Sequence, residues 1–199
     1  MSELVSSAFS TDTADQPVGY SNGLDGKHYT LVFCRRNREN GEEVLLGMKK
    51  RGVGAGKFNG FGGKIEEGES VEEAAVRELM EECSVKAVEI KRVGYLVEII
   101  KSSNMKFYIH IFNCFNFENE PVESSEMNPQ WFNTKNIPYE KMWCDDIHWF
   151  PLLFANKSFT GRFNLIHEEF ISDFQLIDLD TNTTTKKEFQ FEESDEEDH

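Results

Sequence analysis

The sequence predicts an α/β sandwich, and three observations carry that expectation. Apolar, β-rich runs lie on both sides of one long helical stretch at residues 71–83. A second, shorter helical stretch comes late, at residues 148–154. Between them, the run 106–117 is apolar at odd and even positions alike, so both faces of that strand need cover.

Residues 1–26 are rich in Ser, Thr, Asp and Gly, lack periodicity, and read as a disordered lead-in. Residues 28–34 (HYTLVFC) read as a buried strand. Residues 35–41 read as a charged loop ending in an Asn40-Gly41 turn, and residues 43–48 as the return strand. Lys49-Lys50-Arg51 then precedes a loop with Gly52, Gly54 and Gly56; at least one of these lysines is expected on a phosphate. In the following FNGFGG segment, Gly62 and Gly63 let the backbone approach phosphate or metal closely.

Residues 71–83 contain neither Gly nor Pro, and Ala74, Ala75, Leu79 and Met80 favour helix. Ser70 is the expected N-cap, with Glu73 three residues on completing a capping box. Helical spacing puts Glu78, Glu81 and Glu82 on one side. Bunched carboxylates repel unless a cation neutralises them, and hard oxygen donors suit Mg2+, or Mn2+ in its place. Val76, Leu79, Met80 and Cys83 lie roughly opposite and are expected on the sheet. Arg77 is expected to reach back to Glu69 and hold loop to helix.

Residues 91–100 and 106–117 form a hairpin around Ser102-Ser103-Asn104, with His110 a satisfied interior side chain. Glu126 precedes a strand at Trp131-Phe132. Asp145 and Asp146 stand ahead of the second helix. Residues 159–165 and 169–179 are the last two strands, and residues 181–199 read as a disordered acidic tail, leaving 27–180 as the folded domain.

Composition bounds the function. The net charge of -15 argues against binding polymeric nucleic acid. No apolar run approaches transmembrane length, so no membrane partner is expected. The four cysteines show no C-x-x-C pairing and read as free thiols in a reducing compartment. No secretory h-region follows Met1 and no basic residue precedes Lys27, so the expected location is the cytoplasm, or the nucleus.

The segment beginning at Gly63 fits the pattern G-x5-E-x7-R-E-U-x-E-E-x-G-U, U being a bulky apolar residue. Gly63, Glu69, Arg77, Glu78, Leu79, Glu81, Glu82 and Val85 all fall in place, and Ser84 stands where the pattern has glycine. This resembles the box of the Nudix hydrolases. The stretches VLLGMKKRGVGAGKFNGFGGK, PVESSEM and IPYEKMWCDDIHWFPLLF extend the resemblance to the family's eukaryotic MutT-type branch.

The resemblance implies an α/β/α sandwich with a mixed central sheet, acting as a monomer. It implies Mg2+-dependent hydrolysis of oxidised purine nucleoside triphosphates (8-oxo-dGTP, 2-oxo-dATP) to monophosphate and pyrophosphate. Glu78, Glu81, Glu82, Glu126 and the Gly62 carbonyl would hold the metal, with Arg77 completing the catalytic set. Lys49 and Lys64 would meet the phosphates, and Thr30, Asn59, Phe61, Trp143, Asp145, Asp146 and Trp149 would form the base pocket. Which glutamate is the base stays open. Adjacent carboxyls in an apolar pocket disfavour double ionisation, so a proton moving between Asp145 and Asp146 would let one pocket accept both oxidised edges. The alternatives are another diphosphate substrate, a diphosphoinositol or dinucleoside polyphosphate, or a nucleotide-binding module without turnover. Phe58, Glu98, Ile100 and Cys144 depart from the branch near the pocket.

Overall fold

A computed structural model describes residues 27–167 and 169–190. The disordered lead-in expected for residues 1–26 and the last nine residues of the acidic tail lie outside the described residues. Among the described residues, nine strands form one mixed sheet: β1 (Lys27–Arg38), β2 (Gly41–Lys49), β3 (Phe58–Asn59), β4 (Lys86–Ile100), β5 (Met105–Glu118), β6 (Met127–Asn133), β7 (Phe159–His167), β8 (Phe170–Asp178) and β9 (Thr183–Glu188). The order is β3-β2-β1-β5-β4-β7-β8-β9, with β6 also on β2. The pairs β1–β5 and β4–β7 are parallel; the rest are antiparallel. Helices α1 (Val71–Cys83) and α2 (Asp146–Phe154) cover opposite faces.

The period-two alternation of β1 and β5 builds the two cores. Val32, Cys34, Phe112 and Cys114 point to α1 and pack with Ala75, Leu79 and Cys83. Phe33, Ile109 and Ile111 point to α2 and pack with Trp149, Phe150 and Leu153. Three of the four cysteines are buried free thiols, as small core residues should be.

α1 starts where the spacing puts it. The Ser70 side chain accepts from the Glu73 N–H at 3.2 Å, and Glu73 accepts from the Ser70 N–H at 2.8 Å. The helix ends on Ser84 in the left-handed region at φ 60°, a conformation that glycine enters at less cost. Its buried face is rotated from the expected one. Val76 is half-buried and Met80 exposed, while the i, i+4 row Val71, Ala75, Leu79, Cys83 meets the sheet.

Two other expectations are corrected. Residues 35–38 are not a loop but the end of β1, paired with β2. Arg35 there is 1% exposed, and its charge is consumed locally. Its guanidinium donates to both Glu42 carboxylate oxygens at 2.8 Å, to the Leu153 and Phe154 carbonyls at 2.7 and 2.8 Å, and to Asn156 Oδ1 at 2.7 Å. A cation thus satisfies the open carbonyl end of α2 and ties it to the sheet. Arg35→Ala is expected to cost about 3 kcal/mol, because the partners of a buried ion pair would be left unpaired. A denaturant titration reads this; a loss below about 1 kcal/mol would place the value among ordinary surface changes.

The second correction concerns the tail. Thr183–Glu188 is a strand, antiparallel to β8, and extends the fold past residue 180. All six residues are exposed, so no hydrophobic pattern marks them. The edge of β8 supplies the backbone partners, β-favouring threonines fill the strand, and Phe189 anchors it beside His148 and Phe174.

Candidate active site

The site begins where β1 divides its partners. Its last four residues pair with β2, but its first half is bordered by the glycine segment instead. Thr30 N donates to Gly63 O at 2.9 Å, Val32 N to Phe61 O at 2.7 Å, Phe61 N to Val32 O at 3.0 Å and Ile65 N to His28 O at 3.0 Å. A Cβ at Gly62 would lie 1.9 Å from the Thr30 carbonyl oxygen, and one at Gly63 would lie 2.4 Å from Glu78 Oε1. The two glycines therefore let β1, the loop and α1 close on one another.

On the α1 side of this seam lies the acidic cluster. Glu82 is 4% exposed, and its Oε2 accepts the Gly62 N–H at 2.9 Å. Burial pushes its carboxyl up to about 7, and the charges of Glu78 and Glu126 add to the shift. Glu78 is raised as well, first by burial. Arg77 holds the loop to the helix as expected: it donates to Glu69 at 2.6 and 3.0 Å, and also to Glu78 at 2.9 Å and Glu81 at 3.3 Å. Glu126, just before β6, pairs with Arg51.

The residues expected to bind metal are thus neighbours, but not a preformed shell. Among the described residues no group of three His, Cys, Asp or Glu stands at metal-holding separation. Arginine partners draw Glu78, Glu81 and Glu126 aside, and Gly62 meets Glu82 through its N–H. The donor set nevertheless fits a divalent cation. Its donors are hard oxygens, one carboxylate is buried, and burial, with neighbouring carboxylates adding to it, has raised two of them.

On the other side of the sheet a cavity of about 210 Å³ opens beside the same seam. Lys49, Asn59 and Gly62 border it toward the acidic cluster, and Lys49 acts electrostatically on Glu82. Trp143, Asp146 and Trp149 border its far end. Thr30 borders it too, its hydroxyl oxygen buried without a hydrogen-bond partner. Trp149 Nε1 donates to Asp145 Oδ2 at 3.0 Å, and the Trp143 N–H donates to Asp146 Oδ2 at 3.1 Å. Burial raises both aspartates: Asp145 to about 6, held down by bonds from Trp149, and Asp146 well above the usual carboxylate range.

Two residues expected in the base pocket, Phe61 and Asp145, and one expected on the phosphates, Lys64, do not border the cavity. Phe61 is fully buried in the α1-side core, because the antiparallel bridge to Val32 turns its ring toward that face. Asp145 lies behind the cavity wall rather than on it. Lys64 is exposed beside Tyr29 and does not border the cavity. The strands supply a floor: Glu98 and Ile100, which the resemblance puts near the pocket, and Leu31, Leu96, Phe107 and Ile109, which the motif reading missed. Their alternation along β1, β4 and β5 was the available signal, with Glu98 the lone carboxyl inside the apolar run LVEII. His110, expected to be satisfied, is only half so. Its Nε2 meets His28 Nδ1 at 3.1 Å, its Nδ1 has no partner, and burial lowers it to about 3, which keeps it neutral.

The comparisons with known proteins agree with this geometry. The NUDIX domain model matches residues 27–153. The chain is 46% identical over 138 residues to a Danio rerio protein named oxidized purine nucleoside triphosphate hydrolase, covering 69% of this chain and 88% of that one. It is 42% identical over 153 residues to a Mus musculus protein of the same name, covering 77% and 96%. The fold matches a mutator MutT protein from Bacillus halodurans at a TM-score of 0.64 and 21% identity, over 75% of this chain and 97% of that one. Family model, relatives and fold converge: the chain belongs to the Nudix family of hydrolases.

Proposed function

We propose that the protein hydrolyses oxidised purine nucleoside triphosphates, 8-oxo-dGTP and 2-oxo-dATP, to the monophosphate and pyrophosphate, with Mg2+ as cofactor and Mn2+ able to replace it. The observation that carries this reading is continuity. A tryptophan- and carboxyl-lined cavity runs, through Lys49 and Gly62, into a cluster of buried and half-buried glutamates. One end suits a flat, hydrogen-bonding base and the other a metal-bound phosphate chain. The activity of the two vertebrate relatives supports the substrate class.

The residues then divide the work. Trp143 offers a ring face to the purine, worth about 1–3 kcal/mol. Asp146, kept neutral by burial, donates to a carbonyl on the base edge. Lys49 meets the phosphates. Glu78, Glu81, Glu82 and Glu126 hold the cation, and Arg77 positions three carboxylates from its seat on α1. A bound divalent ion offsets phosphate charge and makes a water more acidic. The enzyme is read as a monomer of the cytoplasm or nucleus; no described helix is long and apolar enough to cross a membrane.

Product analysis with Mg2+ and a panel of 8-oxo-dGTP, 2-oxo-dATP, dGTP, a diphosphoinositol and a dinucleoside polyphosphate tests the reading. Pyrophosphate and monophosphate should appear from the oxidised purines faster than from dGTP. Turnover of only the last two compounds would overturn the substrate assignment, and no turnover of any would overturn the enzyme.

A further inference from the structure

Three carboxyls meet at the far end of the cavity, and only two of them face it. Glu98, from β4, and Asp146, from α2, border the cavity; Asp145 is 1% exposed and stands behind. Two N–H donors of other residues serve this group, beside the Asp145 N–H that acts on its own carboxyl. Trp149 Nε1 serves Asp145 Oδ2, and the Trp143 N–H serves Asp146 Oδ2. Asp145 Oδ1 is left buried without a hydrogen-bond partner among these donors, although Glu98 lies in hydrogen-bond contact with Asp145. A buried acceptor without a donor costs about 1–3 kcal/mol, and two facing carboxylates would cost more. A proton on Glu98 resolves both. Glu98 stands alone in an apolar floor, with Leu96 and Ile100 on either side along the strand and Phe107 and Phe163 as its cross-strand neighbours. The other groups beside it that can hold that proton are the carboxyls of Asp145 and Asp146.

We infer that Glu98 is a specificity-determining residue of the base pocket: its acid O–H donates to Asp145 Oδ1, and its carbonyl oxygen presents an acceptor to the base edge beside Asp146. Asp145 is then a positioning residue, saturated by Trp149 and Glu98, and not itself a reader of the base. Burial and the neighbouring charge of Asp145 raise the Glu98 carboxyl well above the usual range, in keeping with this protonation. The ligand is a purine that places an N–H next to a carbonyl along one edge, as oxidised purines and guanine do. The inference rests on the proposed function, and deepens it by naming which carboxyls touch the base.

Glu98→Gln keeps both features, since its amide N–H can reach Asp145 Oδ1 and its carbonyl still faces the cavity. Glu98→Leu removes both and keeps an apolar filling of the floor. The measurements are kcat and KM for 8-oxo-dGTP and dGTP, calorimetric binding of 8-oxo-dGMP, and the thermal midpoint of each variant. Glu98→Leu should raise KM and weaken 8-oxo-dGMP binding about tenfold or more, with kcat changed far less. Glu98→Gln should restore both to within about threefold of the original chain. If the unaltered protein neither binds 8-oxo-dGMP nor cleaves either triphosphate, the proposed function fails. If it does both and Glu98→Leu binds equally well, the role of Glu98 is overturned while the function stands. Equal losses in Gln and Leu variants that retain their midpoints would overturn the donor role. A Leu variant that fails to fold leaves Glu98→Gln and Asp145→Ala as the pair to compare. Asp145→Ala should then weaken binding like the lost donor, and full binding by it would also overturn the inference.

Discussion

Glu82→Gln is expected to lower kcat for 8-oxo-dGTP about a thousandfold, which corresponds to about 4 kcal/mol of transition-state stabilisation. The side chain is 4% exposed and sits at the seam between acidic cluster and cavity. Glutamine keeps an oxygen for the Gly62 N–H, so the loop stays seated. It removes the negative charge, and with it the hard anionic donor that a divalent cation prefers to a neutral amide. The metal-free protein should not suffer, because a buried charge without a full set of partners costs stability. The expected pattern is therefore lost turnover with an unchanged or higher thermal midpoint, checked by steady-state kinetics at saturating Mg2+ beside a melting curve. A kcat within tenfold of the original would remove Glu82 from the proposed metal set. A fall in both activity and midpoint would make the residue a structural one.

Gly62→Ala should act through the fold. Gly62 has no positive φ, so alanine meets no conformational penalty there, and the whole effect comes from contact. The added Cβ would lie 1.9 Å from the Thr30 carbonyl oxygen and 2.6 Å from its carbon, both backbone atoms of a strand held by β5 on its other side. Neither can swing away as a side-chain tip could. Relief requires the loop to lift off β1, which breaks the Thr30–Gly63 and Phe61–Val32 backbone bonds and the Gly62–Glu82 contact together. A loss of about 4 kcal/mol or more is expected, among the large values for single substitutions, and the folded fraction should be nearly inactive. Gly56→Ala is the useful contrast. Nothing lies within 4 Å of its added Cβ, and only its φ of +85° opposes alanine, so its cost should be about 1 kcal/mol. If the two variants were equally stable by chemical denaturation, the close approach at Gly62 would not be what seats the loop.

These two residues lie where local spacing already carried the information. The capping box of Ser70 and Glu73, the end of α1 near Ser84, the Arg77–Glu69 tie and the hairpin at residues 102–104 are all written within a few residues of themselves. One helical turn or one tight turn satisfies each of them, whatever the rest of the chain does. The same holds for the alternation that makes β5 a strand covered on both faces.

The misread elements share the opposite character. Arg35 looks like a loop residue until Glu42 and the end of α2, more than a hundred residues on, are brought against it. The threonine-rich strand β9 has no apolar face and exists because β8 offers it an open edge. Phe61 faces the α1-side core, not the base cavity, because an isolated bridge to Val32 sets which way its ring points.

The cavity is the clearest case. Its tryptophans and Asp146 sit in one short segment, and the motif exposes them. Its floor comes from alternate residues of β1, β4 and β5, and no sequence spacing links Leu31, Glu98 and Ile109 until the strands pair. The order of the carboxyls at its end, with Glu98 and Asp146 in front and Asp145 behind, depends on how α2 packs on that floor. Most of the proposed metal ligands are legible in contiguous residues, because one turn and one helix can carry them; Lys49 and Glu126 join them from β2 and the segment before β6. The chain leaves the choice of base to packing between distant strands, because a planar ligand must be surrounded and no single segment can surround it.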